Sequence, residues 1–460
     1  MYALLADIGS TYTKLCAVDL DSATLLGTSA VLTTQNDIRL GVDRAWYKLK
    51  PQLPLGISFD LRRAASSAAG GLRLVAIGLV PELTGEAARM AALGAGAKVL
   101  KVYGHRLLAS DLQEIGQLAP DIVQLAGGTD GGDRETLLAN ARALATTQLE
   151  TAIVIAGNRE AADEAEEILR NANFPCQVAD NVLPRLGRLE VDGARQAIRE
   201  LFLKRIVLAK GLQELEANLG EVVMPTPAAV LAGLELYAAE KGDLLAVDLG
   251  GATTDVYSIA PGYPADDTMQ SVGLMPPSSY RTVEADIGMR GGASGVINGA
   301  GSLLAQLARG ADLSVDDWAA FAATISQPNW LPTNELESRQ EQLLARACVQ
   351  LAVNRHVGQV EVLATPQGRS YLLRGKDLRS LRQIIGIGGA LKFSPNPDFI
   401  LAGALQQPGE LQLMKPVEAR FLLDADYVLF AAGLLASSHP ESALQLLEQT
   451  LRPLPSRNIE

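Results

Sequence analysis

The sequence predicts a mixed α/β fold built as two lobes, and three observations lead to that prediction. Residues 4–20 and 244–259 share one pattern, in which an apolar strand, an Asp-Gly turn and a second apolar strand follow one another. Residues 72–210 alternate short apolar runs with stretches whose apolar residues recur at helical spacing, which is typical of a doubly wound parallel sheet. The 460 residues suffice for roughly two or three domains with full-sized cores.

Composition and charge argue against several classes of partner. Apolar residues make up 48% of the chain and charged residues 20%, as is typical of globular proteins. The net charge of −12 argues against nucleic acid and anionic membranes, because both favour basic patches. No apolar run reaches the ~20 residues that a spanning helix needs, and residues 1–7 lack the basic start of a secretory signal. We therefore expect a cytoplasmic protein whose scattered cysteines remain reduced thiols.

The hairpin at residues 4–20 carries a polar turn between its apolar strands. Asp7 ends the first strand, where a carboxylate can hold a hydrated cation. N–H donors, hydroxyl groups and one ammonium group follow at Gly9, Ser10, Thr11, Thr13 and Lys14. Glycine lets the backbone approach a ligand with no Cβ in the way, and a turn of bare N–H groups attracts anions. The turn therefore predicts binding of a Mg²⁺-bound phosphate.

The segment at residues 72–210 predicts five strands and their connecting helices. Strands are expected at residues 74–79, 97–102, 121–126, 151–156 and 176–180, and helices at 84–94, 110–118, 133–145, 159–171 and 192–208. Thr84 and Ser110 are expected to be N-caps. The glycine-rich loop at residues 127–132 follows the carboxyl end of a strand, where open α/β sheets bind ligands. Alternatively, this loop is a turn that caps the helix beginning at Asp133.

The second hairpin repeats the chemistry of the first. Residues 244–247 are apolar without interruption, as a buried strand requires, and Asp248 follows at the strand end. Glycines and hydroxyl groups then occur at Gly250, Gly251, Thr253 and Thr254. One Asp-Gly turn alone is an ordinary structural feature, because both residues favour turns. Two such turns, about 240 residues apart, predict two lobes that face one nucleotide.

The remainder of the second half predicts further helices and strands. Helices are expected at residues 224–239, 311–331, 335–353 and 427–437, and strands at 360–363 and 370–373. A glycine-rich turn at residues 291–295 opens another helix. Glu284 and Arg290 are expected to form an ion pair that holds this turn. Three glycines, at Gly386, Gly388 and Gly389, follow a short apolar strand.

These pieces together resemble the actin, sugar kinase and Hsp70 ATPase superfamily. The two hairpins are similar to its phosphate-1 and phosphate-2 motifs, and residues 384–395 (IIGIGGALKFSP) are similar to its adenosine motif. Residues 225–233 and 427–437 resemble the helices that cross between its lobes. The motifs occur in the superfamily's order and span nearly the whole chain.

The superfamily resemblance implies a fold, a cofactor and a set of contacts. The fold is two actin-like, ribonuclease H-like ATPase lobes at residues 1–242 and 243–460. The cofactors are ATP or ADP and Mg²⁺, with Asp7 and Asp248 holding the metal. The nucleotide contacts fall on the turn residues named above and on the glycines of the adenosine motif.

Three further stretches resemble the glutamate mutase L family. They are AASSAAGGLRLVAIGLVPELT (64–84), LAGGTDGGD (125–133) and VEADIGMRGGASGV (283–296). This resemblance implies an accessory protein of adenosylcobalamin-dependent glutamate mutase, also called methylaspartate mutase. Such a protein is a chaperone-like reactivating factor, which uses ATP to exchange damaged cobalamin for fresh cofactor. Its partners are the mutase subunits.

The segment at about residues 72–210 resembles the flavodoxin-like cobalamin-binding domain, as in the small subunit of glutamate mutase. That domain carries D-x-H-x-x-G after its first strand, with the histidine on cobalt. Here the stretch reads VPELTG, so Gly85 is kept while Val80 and Glu82 replace the aspartate and the histidine. The resemblance implies an inserted domain without its cobalt ligand. The alternative is an ordinary five-stranded βα array.

The residue that would activate water for hydrolysis is not evident. In the Hsp70 pattern an acid precedes the Pro-Thr-Ala run of the first inter-lobe helix, whereas this chain has Met224 or Thr226 there. Slow ATP hydrolysis is the expected consequence. Two alternatives stay open. One is a small-molecule kinase, for which Asp130 and Asp286 are candidate bases. The other is a nucleotide-locked scaffold without useful turnover.

Overall fold

The chain divides into two compact units. A computed structural model describes residues 1–34, 37–67, 71–209, 219–311, 318–327, 330–366 and 368–455. Unit 1 comprises residues 1–236, 273–277 and 429–446, and unit 2 comprises residues 237–272, 278–428 and 447–460. Both units combine helices with sheets, so the predicted α/β class is confirmed. Within the described ranges, no helix has the length and apolar character needed to cross a membrane.

The elements are numbered in chain order. The strands are β1 (Tyr2–Ile8), β2 (Tyr12–Asp19), β3 (Thr24–Leu32), β4 (Leu61–Ser66), β5 (Arg73–Gly78), β6 (Lys98–Gly104), β7 (Ile122–Leu125), β8 (Ala152–Ile155), β9 (Cys176–Val178), β10 (Glu221–Met224), β11 (Leu244–Leu249), β12 (Thr254–Ile259), β13 (Met269–Ser271), β14 (Ser279–Glu284), β15 (Gln359–Thr365), β16 (Gly368–Arg374), β17 (Gln383–Ile387), β18 (Arg420–Leu423) and β19 (Arg452–Pro453). The helices are α1 (Ile38–Leu49), α2 (Glu86–Gly94), α3 (Ala109–Leu118), α4 (Glu135–Ala145), α5 (Arg159–Asn171), α6 (Asp192–Ala209), α7 (Thr226–Lys241), α8 (Ala293–Gly310), α9 (Trp318–Ile325), α10 (Glu335–His356), α11 (Gly389–Lys392), α12 (Pro397–Leu401), α13 (Leu429–Leu435) and α14 (Pro440–Thr450).

The first hairpin lies in a five-stranded sheet of unit 1, whose order is β10-β4-β1-β2-β3. Strands β1, β2 and β3 are antiparallel neighbours, whereas β4 pairs parallel with β1 and with β10. The register of β1 and β2 sets Asp7 opposite Lys14. Residues 3–8 are buried without interruption, which is why this strand lacks apolar–polar alternation.

A separate parallel sheet of unit 1 lies wholly within residues 73–178. Its order is β6-β5-β7-β8-β9, so the first of its strands in the chain lies second in the sheet. Apolar side chains of β5, β7 and β8 form one core cluster with α3, α4 and α5. The central strands β5, β7 and β8 are buried and almost entirely apolar, whereas the edge strands β6 and β9 carry polar residues. The sequence predicted all five strands to within two residues at either end.

The two expected N-caps in this segment are wrong. The Thr84 hydroxyl group accepts hydrogen bonds from the N–H groups of Leu79 and Val80 inside the turn that precedes α2. Ser110 lies within α3, where Asp111 instead accepts from the N–H of Leu108 at 2.9 Å. Cap position depends on which polar side chain can reach back to a free N–H, and a composition rule does not resolve that choice.

The second hairpin lies in a six-stranded sheet of unit 2, whose order is β14-β12-β11-β17-β18-β19. Strand β17 runs parallel to β11, and Asp248 is paired with Ile387. Helices α8 and α10 share one core cluster with these strands. A smaller sheet of the same unit has the order β13-β16-β15.

The predicted helices of the second half shift at their ends. The helix expected at residues 224–239 spans Thr226–Lys241, and the one expected at 335–353 continues to His356. The helix expected at residues 427–437 is shorter, at Leu429–Leu435. Of the stretch 311–331, the described residues are helical over α9, and residues 312–317 and 328–329 fall outside the described chain.

Candidate functional site

The first hairpin turn centres on a buried carboxylate. Asp7 is wholly buried near the end of β1. Its Oδ2 accepts a hydrogen bond from the Lys14 ammonium group at 3.0 Å, and its Oδ1 accepts one from the Thr226 hydroxyl group at 2.6 Å. The register of β1 and β2 brings the lysine to the aspartate, whereas Thr226 belongs to the start of α7. An ion pair and a charge-assisted hydrogen bond offset the cost of burying this carboxylate.

Glycine closes the first turn. The N–H of Gly9 donates to the carbonyl oxygen of Tyr12 at 3.0 Å, and a Cβ at Gly9 would lie 2.6 Å from that oxygen. The exposed tip residues are Ser10 and Thr11. Thr13 is buried, and its hydroxyl group bonds to that of Thr33 at 3.0 Å. The tip can therefore contact a ligand, whereas Thr13 supports the turn from inside.

The second hairpin turn has the same geometry. The N–H of Gly250 donates to the carbonyl oxygen of Thr253 at 3.0 Å, and a Cβ at Gly250 would lie 2.7 Å from that oxygen. Asp248 is half-buried, and Thr254 is buried with its hydroxyl group donating to the carbonyl oxygen of Ile287 at 3.0 Å. Each turn thus sets an aspartate two residues before a glycine whose position excludes a Cβ.

A glycine-rich loop at residues 286–292 packs against the second turn. The N–H of Met289 donates to the carbonyl oxygen of Gly250 at 3.0 Å. Backbone meets backbone here, because a Cβ at Gly288 would lie 2.6 Å from the carbonyl carbon of Ala252. The stretch at residues 283–296 therefore shapes the turn. Sequence reasoning missed this role, although the density of glycine was a usable signal.

The expected ion pair between Glu284 and Arg290 is wrong. Glu284 pairs with Arg355 at 2.7 Å, and Arg290 pairs with Glu341 at 2.8 Å. Both partners belong to α10, far along the chain, so local spacing could not identify them. Asp286, a candidate base for a kinase, also pairs with Arg355, at 3.1 Å.

The other candidate base, Asp130, is held inside the loop after β7. Its Oδ1 accepts hydrogen bonds from the N–H of Arg159 at 3.1 Å and from the Asn181 amide at 2.9 Å. Asp133 accepts from the N–H of Thr136 at 3.1 Å and so caps the start of α4. The glycine-rich loop at residues 127–132 is thus tied to the segments after β8 and β9.

The glycines after β17 divide into two roles within unit 2. Gly388 has a φ of +109°, and a Cβ there would overlap the carbonyl oxygen of Leu249 and lie 3.3 Å from Asp248 Oδ1. Gly389 begins α11. Gly386 instead lies in the core, where a Cβ would meet leucine side chains at about 3 Å. The parallel pairing of β17 with β11 brings Gly388 to the second turn.

A hollow of unit 2 lies between α10 and the segment that follows Gly389. Its lining includes the apolar residues Ala345, Ala390 and Ile400, the polar residues Ser338, Glu341 and Gln342, and the ring of Phe393. The hollow is small, at about 40 Å³, against the roughly 300–1,000 Å³ of ligand pockets. Its polar groups are bonded within the protein, since Glu341 pairs with Arg290 and Gln342 bonds to Ser338 and Asn396. Sequence reasoning missed this contribution of α10. The signal was three polar residues spaced i, i+3 and i+4, which share one helical face.

Comparison with known proteins identifies the family. Residues 3–451 match the family model described as MutL protein. The chain is 41% identical over 456 residues to Protein MutL of Clostridium tetanomorphum, and the match covers 97% of this chain and 98% of that protein. This chain belongs to the MutL protein family, that of glutamate mutase L. The family resemblance drawn from the three stretches of sequence is confirmed.

Solved structures resemble the chain more weakly. Component A of (R)-2-hydroxyglutaryl-CoA dehydratase from Acidaminococcus fermentans is 11% identical, with a TM-score of 0.30, over 96% of this chain and 99% of that chain. Gluconate kinase from Lactobacillus acidophilus is 10% identical, with a TM-score of 0.36, over 99% of this chain and 92% of that chain. At these TM-scores the likeness supports no conclusion about the MutL family.

Proposed function

We propose that this chain binds ATP or ADP with Mg²⁺ and reactivates an adenosylcobalamin-dependent mutase of the glutamate mutase type. One observation carries the nucleotide part: two distant Asp-x-Gly turns share the same closing hydrogen bond and the same exclusion of a Cβ. Membership of the MutL family supports the mutase part. The actin-like lobes of this proposal are residues 1–242 and 243–460.

Each group of residues has a distinct role in the proposed binding. Phosphate oxygens accept hydrogen bonds from backbone N–H groups at Gly9, Ser10, Thr11, Gly250, Gly251 and Thr253. The Lys14 ammonium group adds positive charge beside the first turn. Gly388 and Gly389 allow the nucleoside to approach the second turn. Thr13, Thr254 and Gly386 support these positions from inside.

Asp7 fits a hydrated metal ion better than a directly bound one. Lys14 already contacts Oδ2 and Thr226 already contacts Oδ1, so a cation placed directly on either oxygen would displace a partner. Mg²⁺ keeps several waters in protein sites, and such a water can donate to a carboxylate. The second carboxylate is Asp248, which is half-buried beside Gly388. When bound, Mg²⁺ neutralises charge on the phosphates.

A reactivation assay tests the proposal. Mutase whose cobalamin has been inactivated is mixed with the full chain and fresh adenosylcobalamin, with and without Mg²⁺-ATP. We expect mutase activity to return only when both the chain and Mg²⁺-ATP are present. The Asp7→Ala variant should fail, whereas Asp43→Ala, which alters an exposed acid of α1, should reactivate normally. Equal recovery without the chain or without ATP would refute the proposed role.

We also propose that residues 72–210 form a flavodoxin-like domain that imitates the cobalamin-binding subunit of the mutase. The strand order β6-β5-β7-β8-β9 supports this, because it is the flavodoxin-like order 2-1-3-4-5. Glu82, which takes the place of the cobalt-binding histidine, is exposed in the turn after β5. A carboxylate is a harder and poorer axial ligand than imidazole for cobalt in a corrin. The domain would therefore dock as the subunit does without binding cobalt.

Competition tests the imitation. Immobilised full chain should capture the catalytic subunit of the mutase, and added small subunit should displace it. Capture that the small subunit does not displace, or no capture, would contradict the imitation. ATP-dependent reactivation could still occur in either case, so this experiment separates the two proposals.

A nucleotide-locked scaffold is the second candidate function. It is supported by the lack of an acid at Met224 or Thr226, where the superfamily pattern has one, and by the protein partners that hold Asp130 and Asp286. The rate of phosphate release, measured with and without the mutase, distinguishes the candidates. A reactivating ATPase should release more phosphate when the mutase is added, whereas a locked scaffold should not.

A further inference from the structure

Helix α7 is tied at its first residue to the carboxylate of the first turn. The Thr226 hydroxyl group donates to Asp7 Oδ1 at 2.6 Å, and the wholly buried aspartate has Lys14 on its other oxygen. A ligand group that displaces Lys14, or that forms its own hydrogen bond to the Asp7 carboxylate, therefore changes the geometry of the Thr226–Asp7 hydrogen bond directly. The bond joins residues 219 positions apart, so it connects a strand end to a helix start across the fold of unit 1.

The same helix is held further along by the parallel-sheet segment. Glu235 accepts from the Arg195 guanidinium group of α6 at 3.3 Å, and Arg195 is only 9% exposed. At the start of the helix, Gly96 has a φ of +94°, and a Cβ there would lie 2.9 Å from Pro225 Cβ and 3.3 Å from Ala228 Cβ. The distance from Thr226 to Glu235 along the helix is about 14 Å.

Close packing against α13 prevents α7 from bending to accommodate a displacement at one end. A Cβ at Gly233 would overlap the carbonyl oxygen of Leu429, and a Cβ at Gly433 would overlap that of Ala229. Helices α7 and α13 thus touch backbone to backbone. Closely packed elements move as bodies and do not deform continuously, so a displacement at Thr226 reaches Glu235.

We propose that Thr226 is a positioning residue for the Asp7 carboxylate, and that α7 transmits the nucleotide state of the first turn to helices α2 and α6. This inference rests on the proposed function, in which the Asp7 turn binds Mg²⁺-ATP. The contact at the nucleotide end is the Thr226–Asp7 hydrogen bond. The contact at the far end is Arg195 with Glu235, whereas Gly96 meets Pro225 and Ala228 beside Thr226, at the start of the helix. The parallel-sheet segment thereby responds to the nucleotide state without contacting the nucleotide.

Hydrogen exchange with mass spectrometry on the full chain tests the transmission. Addition of Mg²⁺-ATP to the wild type should change amide exchange in α2 and in the first two turns of α6. Thr226→Val should lose this change at saturating nucleotide and should weaken binding by roughly tenfold, because one charge-assisted hydrogen bond is lost. Thr226→Ser should restore both, since it keeps the hydroxyl group.

Variants at the far end separate transmission from binding. Glu235→Gln should bind Mg²⁺-ATP as the wild type does but lose most of the exchange change in α2 and α6. Glu240→Gln, which alters an exposed acid of the same helix, is the matched control and should keep the change. Calorimetry measures binding in parallel. If the wild type binds no Mg²⁺-ATP, the proposed function and this inference are both refuted. If it binds but α2 and α6 do not respond, or Thr226→Val responds as the wild type does, only the inference is overturned.

Discussion

Gly388 provides the sharpest test of the second turn, because replacing it with alanine perturbs the backbone in two separable ways. Its φ of +109° and ψ of 158° lie in a region that is essentially restricted to glycine, which costs other residues roughly 1–3 kcal/mol. The added Cβ would also overlap the carbonyl oxygen of Leu249, and overpacking typically costs about 1–3 kcal/mol. Together these effects predict that Gly388→Ala lowers the free energy of unfolding by about 4 kcal/mol.

Two glycines of unit 2 supply matched controls. Gly409 has a φ of +90°, and a Cβ added there would meet open space, so Gly409→Ala isolates the backbone strain, at about 1–2 kcal/mol. Gly291 has neither a positive φ nor a neighbour within 4 Å of such a Cβ, so Gly291→Ala should change stability by less than about 0.5 kcal/mol. A larger loss of stability in Gly388→Ala than in Gly409→Ala indicates the clash with Leu249, together with any difference in backbone strain between the two sites.

Urea titrations followed by tryptophan fluorescence measure the three variants. A Trp46→Phe background removes the tryptophan of unit 1 and leaves Trp318 and Trp330 to report on unit 2. Calorimetry with Mg²⁺-ATP should show weaker binding for Gly388→Ala alone, because relief of the clash moves the turn that carries Asp248. If Gly388→Ala is no less stable than Gly409→Ala and binds nucleotide normally, the close approach at Gly388 has no role in shaping the site.

Three further predictions concern binding, turnover and pH. Asp7→Ala and Asp248→Ala should each weaken Mg²⁺-ATP binding by about tenfold or more in calorimetry, because each removes a carboxylate that orders the water shell of the metal. Unchanged affinity in both would mean that neither turn holds the metal. Phosphate release by the chain alone should be slower than ~1 s⁻¹, the low end for enzymes, and faster release would reveal a water-activating base that the superfamily comparison misses. Burial lowers the pKa of Lys376 to about 7 from 10.5, so the unfolded chain binds more protons between these values. The free energy of unfolding should therefore rise by about 2 kcal/mol from pH 7 to 9, and Lys376→Met should flatten this rise in urea titrations. Equal pH slopes for the two proteins would refute the assignment to Lys376.

The sequence by itself determined the elements whose causes are local. Both Asp-x-Gly hairpins follow from apolar strands on either side of a turn. Glycine is needed at Gly9 and Gly250 because a Cβ there would clash with the carbonyl oxygen of the residue three positions later. The central strands of the parallel sheet follow from short, almost wholly apolar runs, because strands covered on both faces need no polar side. These patterns depend on neighbours in the chain, and so they can be interpreted without a fold.

Only the tertiary structure decided which distant groups meet. Asp7 receives the hydroxyl group of Thr226, Arg290 turns to Glu341 and not to Glu284, and α10 supplies polar residues to the hollow beside Gly389. Periodicity indicates that a helix has a polar face but not which strand end or loop that face will contact. Such contacts depend on how helices and sheets pack, and packing is fixed by the shape of the whole core, which no local stretch of sequence contains.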